Sequence, residues 1–333
     1  MKTYLPYLKD RIVTLSLMIA LLCVVMAAIY PDTFPTRENF SQILLNLSID
    51  TIVAVGMMVL LIAGAFDLSV GSVVAFSGGL AGHLMYFYDV NFMVAIGAGL
   101  AGSLLIGWIN GYLITRVGIN PMIQTLAMMG IVRGFALMLS GAGIQNFPYE
   151  FIYIGQSKLL SLQAPIWYML AVVLIFNYLV NNTVFFRRYY YIGGNEKAAT
   201  LAGIRVERMK QWAFVLTALL AGIAGILLSS RLGAALSTSG RGLELRVITA
   251  VILGGASLSG GQGRIWGAFL GSAFMGLVNN ALIIGRVSGY WQEVILGLIL
   301  IAAVGLDQWL QKQSAVRTIS EITPKAAKNE LPV

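Results

Sequence analysis

The sequence predicts an all-α polytopic membrane protein of about ten transmembrane helices, some of them short or broken. Of 333 residues, 58% are hydrophobic and only 11% charged, where a soluble domain carries about a quarter. The mean hydropathy is +0.81, and the charges gather in short blocks between uncharged runs long enough to cross a bilayer. Disordered, collagen-like, coiled-coil, disulfide-stapled and secreted globular chains are excluded on the same figures.

The first candidate span is 12–31, after Lys2, Lys9 and Arg11. Its apolar run is too long for a signal peptide and has no Ala-x-Ala before Pro31, so an uncleaved span is expected. Next come 43–66, 68–88, 90–115 and 119–140, separated by Asp67, Asp89 and the turn from Arg116 to Pro121. Residues 164–186 form a sixth, and 212–235, 247–258, 265–285 and 290–309 complete the set. The segment 247–258 is too short to span alone. These define a transmembrane domain over 1–311, with a large loop at 187–211 and a polar tail at 312–333.

Charge sets the orientation. Fifteen of the 22 Lys and Arg fall on the side of the two termini and the 187–211 loop, and five (Arg37, Lys158, Arg241, Arg246, Arg286) on the other. Cytoplasmic termini and an external 141–163 loop are therefore expected, and the net charge of +8 reads as membrane topology, not as affinity for nucleic acid. A single cysteine, Cys23, and a single histidine, His83, leave no disulfide framework and no metal or haem site. No phosphate loop, His-Glu-x-x-His or Gly-x-Ser-Gly motif occurs, so neither nucleotide hydrolysis nor intramembrane proteolysis is expected of this chain, and no cofactor.

Glycines three or four apart, as in Gly97, Gly99, Gly102, Gly107 and Gly111, predict close helix packing in lipid, within the chain or between two copies. In the large loop, Gly193-Gly194 reads as a turn and Asn195 as the cap of a short helix ending near Gly203, with Glu196 in its first turn. Ala198, Ala199 and Ala202 offer a small smooth surface for a soluble partner; a plain solvated loop is the other reading.

Two polar interruptions stand out. Asp67, Ser69 and Ser72 lie in Gly64–Ser72, and Gly254, Gly255, Ser257 and Ser259 lie in 253–264. Aligned at an offset of 190, residues 62–71 and 252–261 share five identities in ten: Ile62 with Ile252, Gly64 with Gly254, Leu68 with Leu258, Ser69 with Ser259 and Gly71 with Gly261. As an internal repeat they mark broken helices beside a transport path; otherwise they are tight cytoplasmic turns. Arg133 is the clearest charge inside a span and must face protein or water. An ion pair with Glu150 or Asp89 is expected ahead of contact with a substrate. Asp50 and Asn279-Asn280 bond between helices or line a path.

Together, Val55-Gly56-Met57, Asp67–Ser72, Asn110-Gly111, Pro121–Leu126 with Arg133-Gly134, Gly193–Glu196, Val251–Gly255 and Gly263-Arg264-Ile265 occur in an order that resembles the inner-membrane permease subunits of ribose-type ABC sugar importers. The resemblance covers nearly the whole chain. It implies a non-catalytic, multi-pass bacterial inner-membrane permease for a monosaccharide. It also implies a partner ABC ATPase inside, a periplasmic sugar-binding protein outside, and a second permease copy or paralogue. It gives Gly193, Gly194, Asn195, Glu196, Ala198, Ala199 and Gly203 to the ATPase contact. Glu196 sits one place off the superfamily's Glu-Ala-Ala pattern because Lys197 intervenes, and Met58, Phe66 and Arg246 depart from the family's usual residues. Nucleosides, branched-chain amino acids and a signalling sugar are alternative substrates. A stand-alone secondary transporter using Asp50, Asp67 or Arg133 is the rival from another class.

Overall fold

A computed structural model describes residues 11–326 of the chain. Lys2 and Lys9 at one end, and the tail beyond residue 326 at the other, lie outside the described residues. Each of the ten apolar segments forms a helix. In chain order these are α1 (Arg11–Ile29), α2 (Arg37–Ile62), α3 (Val70–Tyr88), α4 (Phe92–Tyr112, passing into a π turn at Leu113–Val117) and α5 (Pro121–Ser140). The loop after α5 holds β1 (Ile144–Gln145), α6 (Tyr149–Gln156), β2 (Lys158–Leu159) and β3 (Leu162–Gln163). There follow α7 (Ala164–Asn182), α8 (Val184–Gly194), α9 (Glu196–Leu201), α10 (Val206–Leu232), β4 (Ala234–Ala235), α11 (Leu243–Leu253), α12 (Ile265–Ile284) and α13 (Gly289–Ala326).

Among the described residues, eight helices are long and apolar enough to cross a membrane, and α13 adds an apolar stretch over Gly289–Gly305. α11 has 11 residues, about 16 Å at the standard rise, half of a hydrocarbon core. Helix starts follow side-chain caps. The Thr36 hydroxyl accepts from the Asn39 amide at 3.3 Å, which moves the start of α2 six residues ahead of the expected 43. Asn91 and Asn120 accept from the amides of Met93 and Met122, both at 2.9 Å, to open α4 and α5.

The core is built on α2 and α10, whose most apolar windows are 83% and 78% buried, whereas that of α1 is 11% buried and lies at the periphery. α10 packs against α2, α3 and α4. Small residues make this approach close: a Cβ on Gly107 would stand 2.6 Å from the Ala218 Cβ, and one on Gly102 would stand 2.7 Å from the Phe76 ring. Gly97, in the same glycine series, meets open space.

Two faces result. One carries the 30–36 loop, the 141–163 loop and the 233–242 segment, joined where β1 pairs antiparallel with β4 (Ile144 opposite Ala235). The opposite face carries 63–69, 183–205 and 254–264. The 236–242 segment does not stay at its surface: it dips inward until Gly240 rests against Gly71 and Val74 of α3. α11 then completes the crossing, which is why its sequence segment is short.

Candidate coupling and gating site

On the second face, the large loop folds as two helices in series. The Asn195 side chain accepts from the Ala198 amide at 3.0 Å and caps α9, with Glu196 in its first turn. The turn closes at Gly203, where φ is +81° and the Ile204 amide returns to the Ala199 carbonyl. Glu196 is tied to α10 by an ion pair with Lys210 at 2.5 Å. Ala198 and Ala202 are exposed, and Leu201 is 89% exposed. Ala199 is buried instead, packed at the floor of an apolar groove lined by Tyr190, Tyr191, Gly194, Ala198, Ala202 and Ile204.

Gly193 and Gly194 do not make the expected turn; they are the last residues of α8. Gly193 is glycine because the backbone of other segments touches it. A Cβ there would collide with the carbonyl oxygen of Ile62 and the amide of Gly261, and one on Gly260 would lie 2.9 Å from the Cα atoms of both Gly193 and Gly64. The Gly261 amide donates to the Ile62 carbonyl at 2.9 Å. Three segments therefore meet backbone to backbone: the end of α2, the end of α8 and the 254–264 turn. The Tyr190 hydroxyl adds a bond to the Gly263 carbonyl at 2.8 Å. Burial pushes its phenol above the ordinary value, against the pull of Arg264, so it remains a protonated donor at neutral pH.

The two interruptions share a construction. Gly64 and Ala65 return amides to Leu61 and Leu60, and Gly255 and Ala256 return theirs to Ile252 and Val251. Both are Schellman caps with glycine at positive φ (+79° and +99°). Beyond each cap, the Ser69 amide donates to Asp67 Oδ1 at 2.7 Å, and the Ser259 amide to Ser257 Oγ at 3.1 Å. The side-chain turns match at the offset of 190, but the caps match at 191. Gly64 thus corresponds to Gly255, not to Gly254, which packs against Gly267 of α12.

Asp67 is fully buried, with Ser69, Ser72 and Asn110. Besides the amide, the Ser69 hydroxyl donates to Oδ1 at 2.6 Å. Asn110 of α4 donates to Oδ2 at 3.4 Å and to Ser69 Oγ at 3.1 Å, and Gln124 of α5 donates to the Asn110 carbonyl oxygen at 3.3 Å. The Ser72 hydroxyl donates to the Met129 carbonyl at 2.9 Å. A single polar network therefore fixes the α2–α3 break to α4 and α5. Asn110 and Gln124 were not singled out as site residues, although a lone amide in an apolar run obeys the same rule as Asp67.

Arg133 pairs with neither Glu150 nor Asp89. Its Nη1 donates to the carbonyls of Ser237 and Ser239 at 2.7 and 2.8 Å. The inward-dipping segment is not helical there, so its carbonyls need donors, and the guanidinium supplies them. Asp50 pairs with Arg246 at 3.3 Å, and Asn280 exchanges amide bonds with Asn39 across α12 and α2. The ionisable groups that a stand-alone transporter would use are thus engaged within the chain.

Residues 39–304 match the family model described as the permease component of the branched-chain amino acid transport system. The chain belongs to this permease family. Among curated relatives, the L-arabinose transport system permease protein AraH of Escherichia coli (strain K12) is 40% identical over 296 residues, 89% of each chain. The ribose import permease protein RbsC of the same strain is 35% identical over 297 residues, 88% of this chain and 92% of its own. The D-allose transport system permease protein AlsC is 34% identical over 296 residues, 88% and 90%. The matched region of this permease runs from the first turn of α2 into α13, and takes in the α9 groove, both Schellman breaks and the Asp67 network.

Proposed function

We propose that this permease is the membrane pathway of an ATP-driven importer, that it carries a monosaccharide delivered by a periplasmic binding protein, and that an ATPase subunit seats in the groove beside α9. The carrying observation is the route inward from that groove. α9 follows α8 directly, and the last turn of α8 is locked by backbone to both helix breaks. A push on α9 therefore reaches Gly64 and Gly260 without passing through any flexible side chain. ATP binding would shift the pathway between states only so far as the ATPase grips α9 differently in each. The chain itself performs no covalent chemistry; hydrolysis belongs to the partner. A second permease copy or a paralogue completes the membrane unit. The sugar reading is supported by relatives named for arabinose, ribose and allose.

Ala198→Trp and Ala202→Trp test the groove, because both positions are exposed on it while Ala199 is needed for packing. Each variant is expected to insert normally, to lose ATPase in co-purification, and to import sugar about a hundredfold more slowly, the scale of a broken interface hot spot. Wild-type import by either variant overturns the assignment.

The termini and the 187–211 loop belong to the cytoplasmic side in this reading, with 141–163 in the periplasm. In a Cys23→Ala background, a cysteine at Ser157 should react with an impermeant thiol reagent in intact cells, and one at Lys197 only after lysis. The reverse pattern overturns the orientation.

A further inference from the structure

A cavity of about 500 Å³ opens on the face of the 30–36 loop, between α2, α10, α11, α12 and α13. In a chain solvated by lipid, polar side chains turned inward cost free energy unless something uses them. Here Asn46, Asp50, Arg231, Arg246, Asn279 and Glu293 all line one space. Asp50 and Arg246 touch through a single contact at 3.3 Å, and each side chain keeps about 30% of its surface open. Arg231 donates to Asn46 Oδ1 at 2.8 Å. The two carboxylates match the two guanidiniums in charge, so the lining favours a neutral ligand over an ion. Carboxylates accept, guanidiniums donate and amides do both, which is the complement of a molecule carrying a hydroxyl on nearly every carbon. The volume lies in the usual range for small-molecule sites.

The floor is as informative as the wall. It is formed by Val74, Gly240 and Leu243. Gly240 sits so close that a Cβ on it would lie 2.5 Å from the Gly71 carbonyl oxygen and 3.2 Å from the Val74 Cβ. Nothing the size of a sugar passes between them. Gly71 is two residues beyond Ser69, so the floor of the cavity and the Asp67 break share one turn of chain.

We propose that this cavity, inside a single permease chain, is the station where the transported sugar waits, and that the contact of Gly240 with Gly71 is the closed barrier beneath it. This rests on the sugar-permease reading. It adds that each chain holds sugar itself, with the Asp50–Arg246 pair as the main contact, and that opening requires the 236–242 segment to lift from α3.

The test is protection of a reporter cysteine, Leu296→Cys on the cavity wall, in a Cys23→Ala background with the ATPase and binding protein present. L-arabinose, D-ribose and D-allose are the probes. The sugar that the complex imports should slow thiol labelling at 296 and leave a control cysteine at Gln145, outside the cavity, unaffected. Asp50→Asn with Arg246→Gln should weaken that protection roughly tenfold, the effect of losing charged hydrogen bonds. If that pair fails to assemble, Asn279→Ala, which leaves the ion pair intact, should weaken it about threefold. A sugar that is imported but gives no protection, or protection unchanged in a well-assembled variant, overturns the station while the importer reading stands. A wild-type complex that imports none of the three overturns the sugar reading, and the station with it.

Discussion

Gly193→Ala is expected to cut import more than about a hundredfold while the complex still hydrolyses ATP, because one methyl group at this point has nowhere to go. Its neighbours are the Ile62 carbonyl and the Gly261 amide, which bond to each other at 2.9 Å. Backbone cannot turn aside as a side chain can. Either α8 withdraws, or the bond between α2 and the 254–264 turn breaks; in both cases movement of α9 no longer reaches the breaks. Import into vesicles and ATP hydrolysis, measured on one preparation, separate uncoupling from misfolding. Gly97→Ala is the control: it adds the same methyl within a helix, meets open space, and should import normally. Normal import by Gly193→Ala would mean that the junction is not the transmission point.

Asp67→Leu should abolish import outright. The carboxylate accepts from the Ser69 amide, the Ser69 hydroxyl and Asn110. Leucine leaves the Ser69 amide and hydroxyl without this acceptor, at about 1–3 kcal/mol each, and takes from Asn110 one of its two bonds to the break, so that α4 is held there only through Ser69 Oγ. Asp67→Asn keeps one acceptor oxygen for Ser69 and should retain measurable import. That ranking distinguishes the network from a bare need for negative charge, under which both variants would fail alike. Assembly with the ATPase is the accompanying check, since import lost only through degradation would make the network purely structural.

Helix positions were legible because span length and hydropathy depend on composition alone, and all ten expected segments correspond to helices. The end caps were partly legible. Asn195 caps α9 as its residue type predicts, whereas Gly193-Gly194 looked like a turn and is helical. Glycine serves positive φ and close approach equally well, and only the position of Ile62 and Gly261 decides between them. The repeat was visible but misregistered by one residue, since sequence identity follows the Ser69 and Ser259 turns while the caps lie one step apart. Arg133 was legible as a charge needing partners but not in its choice of them. Its acceptors are main-chain carbonyls of a distant segment, and a carbonyl carries no signature of residue type.

The central place of α10 has a consequence for how the chain is made. α2 is the most buried span, and the partner that buries much of it, with Thr217 bonded to the Gly56 carbonyl at 3.0 Å, begins only at Val206. At ordinary rates of synthesis the ribosome needs about 7–30 s to add the roughly 140 residues between them. Throughout that interval α2, α3 and α4 lack the helix that packs against all three in the finished fold. Assembly of the core is therefore postponed until the seventh long span arrives. A chain truncated before Val206 should be cleared by membrane proteases, whereas one that extends far enough past Leu232 for α10 to have left the ribosome should already resist them.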